Sequence, residues 1–389
     1  MLAGAGSACL LLAACSPAPV TPSRSPSPSP SLVISAAPSL LPSPTPSAPT
    51  PVAMPPPAGF EPSSVTFVSL EMGWALGDAP CAGGTCLALR RSVDGGRSWS
   101  SANAPPTSFS LATSVDQGVS QIRFADALDG WAFGPDLWST HDGGTQWTKS
   151  SLTIVWALEA GAGRVHAVSL DGSTNASYNI ETSVTSRDAW VRTGSLQLGA
   201  GPVPAADLVL QGSTGWAVEN DREVIDGARL VSGRWEAWHA PCATTGGTAV
   251  VSAPTTSSVV AICEQGIWGP SGYPGSPAVR AYFSGNGGAT FYLGGVVPTG
   301  EPSGSGDVVA SPAPGVAVTD VLTNSQDELI ETFNSGASWR VVASAAESVP
   351  FTYVGFTSSA QGVAIESSSA TSVLLMTFDG GRVWSPVRF

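Results

Sequence analysis

The stretch Ser92-Val-Asp-Gly-Gly-Arg-Ser-Trp99 recurs along the chain in recognisable form. Each copy starts with Ser or Thr, carries Asp or Asn two residues later and ends in an aromatic residue. The further copies span residues 140–147, 284–291, 332–339 and 377–384. Asp and Asn side chains accept backbone N–H bonds in tight turns, and paired glycines such as Gly95 and Gly96 permit positive φ there. Each copy, here called a box turn, therefore predicts a tight turn followed by a strand that packs through its aromatic ring.

The spacing of the box turns predicts a repeat. Degenerate copies ending at Trp190 and Trp235 fill the gap between Trp147 and Phe291, so that successive aromatic anchors lie 43 to 56 residues apart. One blade of a β-propeller takes about 40 to 50 residues. A second phrase, Gly-Trp-Ala, precedes three of the copies and occupies residues 73–75, 130–132 and 215–217. Each repeat is thus interpreted as four strands, with the Gly-Trp-Ala phrase on the second strand and the box turn between the third and fourth.

Seven repeats predict an all-β fold: a single seven-bladed β-propeller of four-stranded antiparallel blades over residues 59–389, preceded by a disordered Pro/Ser-rich stalk. The mode of ring closure stays open, with residues near Phe60 beside 387–389 as one possibility. The box residues are interpreted as scaffold, not as a site. They are Asp94, Trp99, Asp142, Trp147, Asn286, Phe291, Asn334, Trp339, Asp379 and Trp384.

The box turns resemble the Asp-box, or bacterial neuraminidase repeat. Combined with the Gly-Trp-Ala strand, the pattern resembles sortilin-type and photosystem II assembly-factor-like propellers. This resemblance implies a non-enzymatic protein that binds peptides or partner proteins on one propeller face. The arginine-rich patch of the photosynthetic members is not visible in the sequence, so a photosynthetic role is not implied.

The first residues indicate export. Residues 1–14 contain a short apolar run ending in Leu12-Ala-Ala-Cys15, which resembles the lipobox of bacterial lipoproteins. The resemblance implies that Cys15 is lipidated and that the protein is anchored to the outer face of the cell membrane. Residues 1–7 contain no Lys or Arg, although a signal peptide starts with a positive segment, so a start codon upstream of Met1 is expected.

Residues 15–58 form a linker dominated by Pro and Ser. Such a composition buries too little apolar surface to offset the entropy of ordering. Pro-rich linkers run extended at about 3.1 Å per residue, so this one reaches at most roughly 130 Å. It is interpreted as a tether that holds the propeller away from the membrane.

The formal charge of −13 argues against nucleic-acid binding, because phosphate contacts need clustered Lys and Arg. It also argues against binding to anionic headgroups, which leaves the lipid as the only predicted membrane contact. No cofactor or metal site is predicted, and the protein is expected to be a monomer.

Four cysteines lie in the propeller region, and in an exported domain an even number favours disulfides. Three pairings are possible. The pairing Cys81–Cys86 with Cys242–Cys263 is preferred because each joins residues close in the chain. Zinc is the weaker alternative, because no second Cys or His pair lies near 81–86.

Strand order predicts where a ligand binds. If the four strands of each blade run up and down, all box turns lie on one face, and the longer second-to-third and blade-to-blade loops lie on the other. Loops on a rigid scaffold usually carry the binding groups. The candidate ligand-binding residues in these loops are Glu219, Asp221, Glu223, Glu264, Trp268 and Tyr273.

The sequence favours a binding protein over an enzyme, and no catalytic residue is predicted. Sialidases share the box turns, but their Arg-Ile-Pro element is absent, and the arginines lie mostly in third strands or box turns. The alternative is a glycoside hydrolase that uses two carboxylates such as Glu219 and Glu264. The predicted partner is a protein, peptide or glycan of the cell envelope.

Overall fold

The computed structural model describes most of the chain beyond the linker. The described ranges are 59–110, 117–170, 177–197, 205–221, 223–244, 247–265, 278–299, 306–323, 326–346, 349–368 and 371–389. The predicted signal segment, Cys15 and the stalk lie outside them. Within these ranges the sole helical element is one 3₁₀ turn, Pro241–Thr244. No helix of the described residues is long and apolar enough to cross a membrane.

The described residues form seven sheets of four consecutive antiparallel strands, which confirms the predicted all-β, seven-bladed propeller. Blades 1 to 4 comprise β1 (Glu61–Phe67), β2 (Gly73–Cys81), β3 (Gly84–Ser92), β4 (Ser100–Ala102), β5 (Gln121–Phe124), β6 (Gly130–Phe133), β7 (Leu137–Thr140), β8 (Thr148–Lys149), β9 (Val155–Gly161), β10 (Arg164–Leu170), β11 (Ser177–Val184), β12 (Val191–Gln197), β13 (Ala205–Gln211), β14 (Thr214–Asn220), β15 (Val224–Val231) and β16 (Arg234–Ala237). Blades 5 to 7 comprise β17 (Gly247–Ser252), β18 (Val259–Gln265), β19 (Ala278–Ser284), β20 (Tyr292–Val296), β21 (Val309–Ala310), β22 (Ala317–Thr323), β23 (Gln326–Thr332), β24 (Arg340–Ser344), β25 (Phe351–Phe356), β26 (Gly362–Ser367), β27 (Ser372–Thr377) and β28 (Ser385–Pro386).

The strand order gives the propeller two different faces. Every box turn connects the third and fourth strands of its blade, and every Gly-Trp-Ala phrase lies on a second strand. Since neighbouring strands are antiparallel, the first-to-second turns and the box turns share one face, here called the box face. The second-to-third connections and the connections between blades lie on the opposite face, here called the loop face.

The five complete box turns share one hydrogen-bond pattern, illustrated by the first. The Asp94 carboxylate accepts from the Ser98 backbone N–H at 2.9 Å, and the Ser92 hydroxyl accepts from the Gly96 N–H at 2.7 Å. Gly95 and Gly96 have φ of 76° and 84°, where a side chain is strained. These acids are thus occupied by their own turns. In blade 2, the backbone N–H of Gln146 lowers the pKa of Asp142, as expected for a carboxylate that accepts such bonds.

The hydrophobic core lies between the blades. Seven clusters of buried residues occupy the seven blade interfaces. The tryptophans of the Gly-Trp-Ala strands, Trp74, Trp131 and Trp216, are the largest fully buried side chains. Among the aromatics of the complete box turns Trp99 is buried, whereas the other four are half-buried: Trp147, Phe291, Trp339 and Trp384. The second-strand tryptophans therefore supply more of the core than the box aromatics predicted to do so.

The ring closes by packing of side chains. Blade 1 consists of the first four strands and blade 7 of the last four, so no blade combines strands from both ends of the propeller. The Phe60 and Phe389 rings meet edge to face with centroids 4.6 Å apart, and Phe389 also contacts Trp99. Gly96 lies so close to Met376 of blade 7 that a Cβ there would clash. The extra strand considered near Phe60 is therefore not formed.

Both predicted disulfides are present. The Cys81–Cys86 disulfide links β2 and β3 at the tip of their hairpin on the loop face, with Cα atoms 5.8 Å apart. Cys242–Cys263 joins the 3₁₀ turn to β18, with Cα atoms 5.4 Å apart. On the loop-entropy account they contribute about 2 and about 3.4 kcal/mol respectively.

Candidate functional site

The predicted ligand residues of blade 4 lie close together, but not all in a loop. Glu219 is fully buried within β14, where its backbone pairs with Ala206 and Asp226. Asp221 and Glu223 follow in a tight turn closed by a bond from the Asp221 N–H to the Glu223 carbonyl, at 2.9 Å. Glu223 alone is exposed. The β14 strand runs further than the sequence suggested, and this extension places Glu219 inside the blade.

The predicted residues of blade 5 are described only in part. Glu264 lies near the end of β18 and is 8% exposed, so it also belongs to a strand and not to a loop. Trp268 and Tyr273 lie outside the described residues.

A second group of carboxylates, here called the acidic rim, lies on the loop face of blades 5 and 6. Its exposed member, Asp307, precedes β21 and lines the mouth of the central channel. Asp307 interacts electrostatically with Glu264, Asp320 and Asp327, all of them buried. Two of the buried oxygens have backbone donors: the Val308 N–H donates to Asp320 at 3.0 Å and the Phe351 N–H donates to Asp327 at 2.7 Å.

In the acidic rim, burial and mutual repulsion disfavour the ionised form of the carboxyls. Burial, together with the charge of Asp307, raises the pKa of Glu264 to about 7. Burial likewise raises the pKa of Asp320 to about 7 and that of Asp327 to about 6, against the lowering effect of their backbone donors. Among the described residues, no Lys or Arg contributes to the pKa of any of these carboxyls. The rim is therefore a place where a cation from outside the chain is favoured.

The innermost strands of all seven blades enclose a central channel of about 710 Å³. Its charged wall belongs to blades 2 to 4. Arg123 of β5 and Glu159 of β9 form an ion pair at 2.8 Å, and their side chains are 17% and 24% exposed. Burial alone would lower the pKa of Arg123, but Glu159 and Tyr353 raise it above its ordinary value, so the guanidinium stays charged.

Asp207 of β13 completes this wall. It is half-buried, and burial raises its pKa to about 6. Burial raises the pKa of Glu159 as well, and the charge of Asp207 adds to that effect while Arg123 opposes it. Within the described part of the chain, Asp207 has no hydrogen-bond or ion-pair partner.

The described residues contain no cluster of potential metal ligands, and their buried histidine, His166, belongs to the core. No group of three or more His, Cys, Asp or Glu within them is placed to hold a metal ion. His166 is a core residue: it is buried at the interface of blades 3 and 4, bonds to the Thr182 hydroxyl at 2.8 Å and packs edge-on against Trp235. Burial lowers its pKa to about 4, so it stays neutral.

Sequence reasoning missed the channel wall and three of the four rim carboxyls, Asp307, Asp320 and Asp327. The available signal was a charged residue in the middle of an apolar first strand, as in Ile122-Arg-Phe124 and Ala206-Asp-Leu208. Such a residue faces the channel because the first strand of each blade is innermost.

Comparison with known proteins shows similarity of fold. No family model and no curated protein sequence matches the chain. Among solved structures, YCF48 from Cyanidioschyzon merolae is 14% identical, with a TM-score of 0.55 over 84% of this chain and 98% of that one. YCF48 bound to a D1 peptide is 15% identical, with a TM-score of 0.54 over 84% and 95%. A polysaccharide lyase, the PL25 ulvan lyase, is 10% identical, with a TM-score of 0.52 over 85% and 97%. The chain is thus a β-propeller similar to both peptide-binding and carbohydrate-cleaving propellers.

Proposed function

We propose that this protein is an exported, lipid-anchored binding protein whose loop face captures a basic segment of a protein or peptide in the cell envelope. The proposal rests on the acidic rim. Its exposed carboxylate, Asp307, interacts electrostatically with three buried ones, and no Lys or Arg among the described residues balances them. A Lys or Arg side chain at the channel mouth would relieve this repulsion and gain charge-assisted hydrogen bonds. The proposal is supported by a solved structure of similar fold, YCF48, which is bound to a D1 peptide.

Replacing Asp307 with Asn is expected to weaken binding of a Lys/Arg-rich peptide at least about tenfold, because it removes the exposed charge of the rim. Fluorescence polarisation with a labelled basic decapeptide measures this, and an acidic peptide of equal length should not bind. Glu71→Gln, an exposed carboxylate on the box face, is the matched control and should leave affinity unchanged.

Two results would contradict this proposal. One is equal affinity of the Asp307→Asn variant and the parent for the basic peptide. The other is turnover of fluorogenic sialosides or aryl glycosides that Glu264→Gln abolishes. The second result would favour the hydrolase alternative, since a carboxyl whose pKa is raised to about 7 by burial and by a second carboxyl suits a general acid.

Membrane anchoring rests on Cys15. Growth with an alkyne fatty acid is expected to label the protein, and Cys15→Ala is expected to remove the label and release the protein from the membrane fraction. Cys9→Ala is the matched control, because Cys9 belongs to the predicted signal segment, and it should keep the label. Labelling that survives Cys15→Ala would refute the anchor.

A further inference from the structure

The central channel has two chemically different walls. Blades 2 to 4 contribute the Arg123–Glu159 pair and Asp207. The next two blades contribute half-buried aliphatic side chains, chiefly Val250 of β17 and Val309 of β21. A ligand that fits this channel therefore combines a polar head with an apolar stem.

The charge on the polar wall determines the sign of that head. Arg123 is already paired with Glu159 at 2.8 Å and also interacts with Tyr353. The wall thus contains one guanidinium and two carboxylates, and Asp207 is the carboxylate that lacks a hydrogen-bond or ion-pair partner among the described residues. A half-buried carboxylate without a partner is costly, and a cation beside it removes that cost.

We propose that the central channel binds a primary ammonium group on an aliphatic stem, with Asp207 as the counter-ion and the Val250–Val309 wall packing the stem. An ammonium group is a compact charge and pairs with a single carboxylate without a fixed plane. A guanidinium pairs best with a carboxylate that lies in its own plane and accepts two hydrogen bonds from it. The cavity of about 710 Å³ accommodates a stem of several methylenes. This chemistry has two sources: a free aliphatic diamine, or a lysine side chain of a bound peptide. Only the lysine source rests on the proposed function.

Isothermal titration with 1,5-diaminopentane tests the site, and 1,5-pentanediol is the neutral probe of equal length. Saturable binding of the diamine but not of the diol is expected, and Asp207→Asn should weaken it at least about tenfold. Asp207→Asn should fold normally, because it removes an unpartnered charge, and its far-UV circular dichroism checks this. Glu236→Gln, an exposed carboxylate on the outer strand β16 of the same blade and outside the channel lining, is the matched control and should bind as the parent does.

A lysine-containing peptide and its Nε-acetylated form make up the second arm. If the peptide loses affinity on acetylation of its lysine or on Asp207→Asn, the site is assigned to a lysine side chain. If only the binding of the diamine depends on Asp207, the site is assigned to free amines. Both results support the site. No saturable binding of either probe, equal binding of diamine and diol, or equal affinity of the Asp207→Asn variant would overturn it. If the Asp307→Asn variant alone gives the contrary result, an unchanged affinity for the basic peptide, the proposal for the rim fails. The channel site is not affected by that result.

Discussion

Replacing Trp216 with alanine is expected to lower the free energy of unfolding by about 3 to 5 kcal/mol. Trp216 is fully buried between blades 4 and 5, in a cluster with Trp238 and Val251. Its indole N–H also donates to the Gly287 carbonyl of the blade 5 box turn, at 3.2 Å. The truncation leaves a cavity at one joint of the ring and removes one of the two hydrogen bonds that the Gly287 carbonyl accepts, the other coming from the Arg229 guanidinium at 2.9 Å. Urea unfolding followed by circular dichroism measures the loss.

Phe378→Ala is the matched control for this substitution. Phe378 is also a large aromatic residue, but it is 51% exposed on the box face, where the Arg97 guanidinium covers it at 5.3 Å. Its removal is expected to cost about 1 kcal/mol or less. If both variants lost the same stability, the assignment of the core to the second-strand tryptophans would fail.

Asp320→Asn is expected to stabilise the protein at about pH 8, by up to about 4 kcal/mol. The folded pKa of Asp320 is about 7, well above its ordinary 3.8, because the carboxyl is buried beside Asp307 and Asp327. A raised folded pKa means that the protonated form favours folding. The stability from this group is therefore complete below about pH 4 and is lost as the pH rises through 7. Asn cannot ionise, and its oxygen still accepts from the Val308 N–H.

Denaturation at about pH 4 and about pH 8 gives the readout, and the advantage of Asp320→Asn should appear only at the higher pH. Asp142→Asn is the control of opposite sign, because the turn lowers the pKa of Asp142. That variant should lose stability at high pH, although Asn is the natural residue in the equivalent turns of blades 5 and 6. An Asp320→Asn variant whose stability relative to the parent is the same at both pH values would contradict the burial argument for Asp320.

The fold could be predicted because its signal is periodic. A turn built from Asp or Asn, glycine and an aromatic residue leaves the same trace in five blades, and weaker copies mark the other two. Seven traces at similar spacing specify the ring. Disulfide partners close in the chain, Cys81 with Cys86 and Cys242 with Cys263, could be found for the same local reason.

The candidate site was harder to predict because it depends on the closed ring. Glu219 and Glu264 looked like loop residues, since nothing local shows how far β14 and β18 extend. Arg123, Glu159 and Asp207 are far apart in the sequence, and each follows an ordinary strand alternation. Only closure of the ring turns all seven first strands toward one axis and brings these three charges together.

Closure without a shared strand has a consequence for the order of the blades along the chain. Because each sheet is built from its own contiguous stretch, and Phe60 already touches Phe389, a short peptide could join these ends while new termini are opened in any connection between blades. Such a circular permutant would keep every sheet and every blade interface intact. Any blade could thus come first in the sequence, while each blade keeps the same neighbours in space.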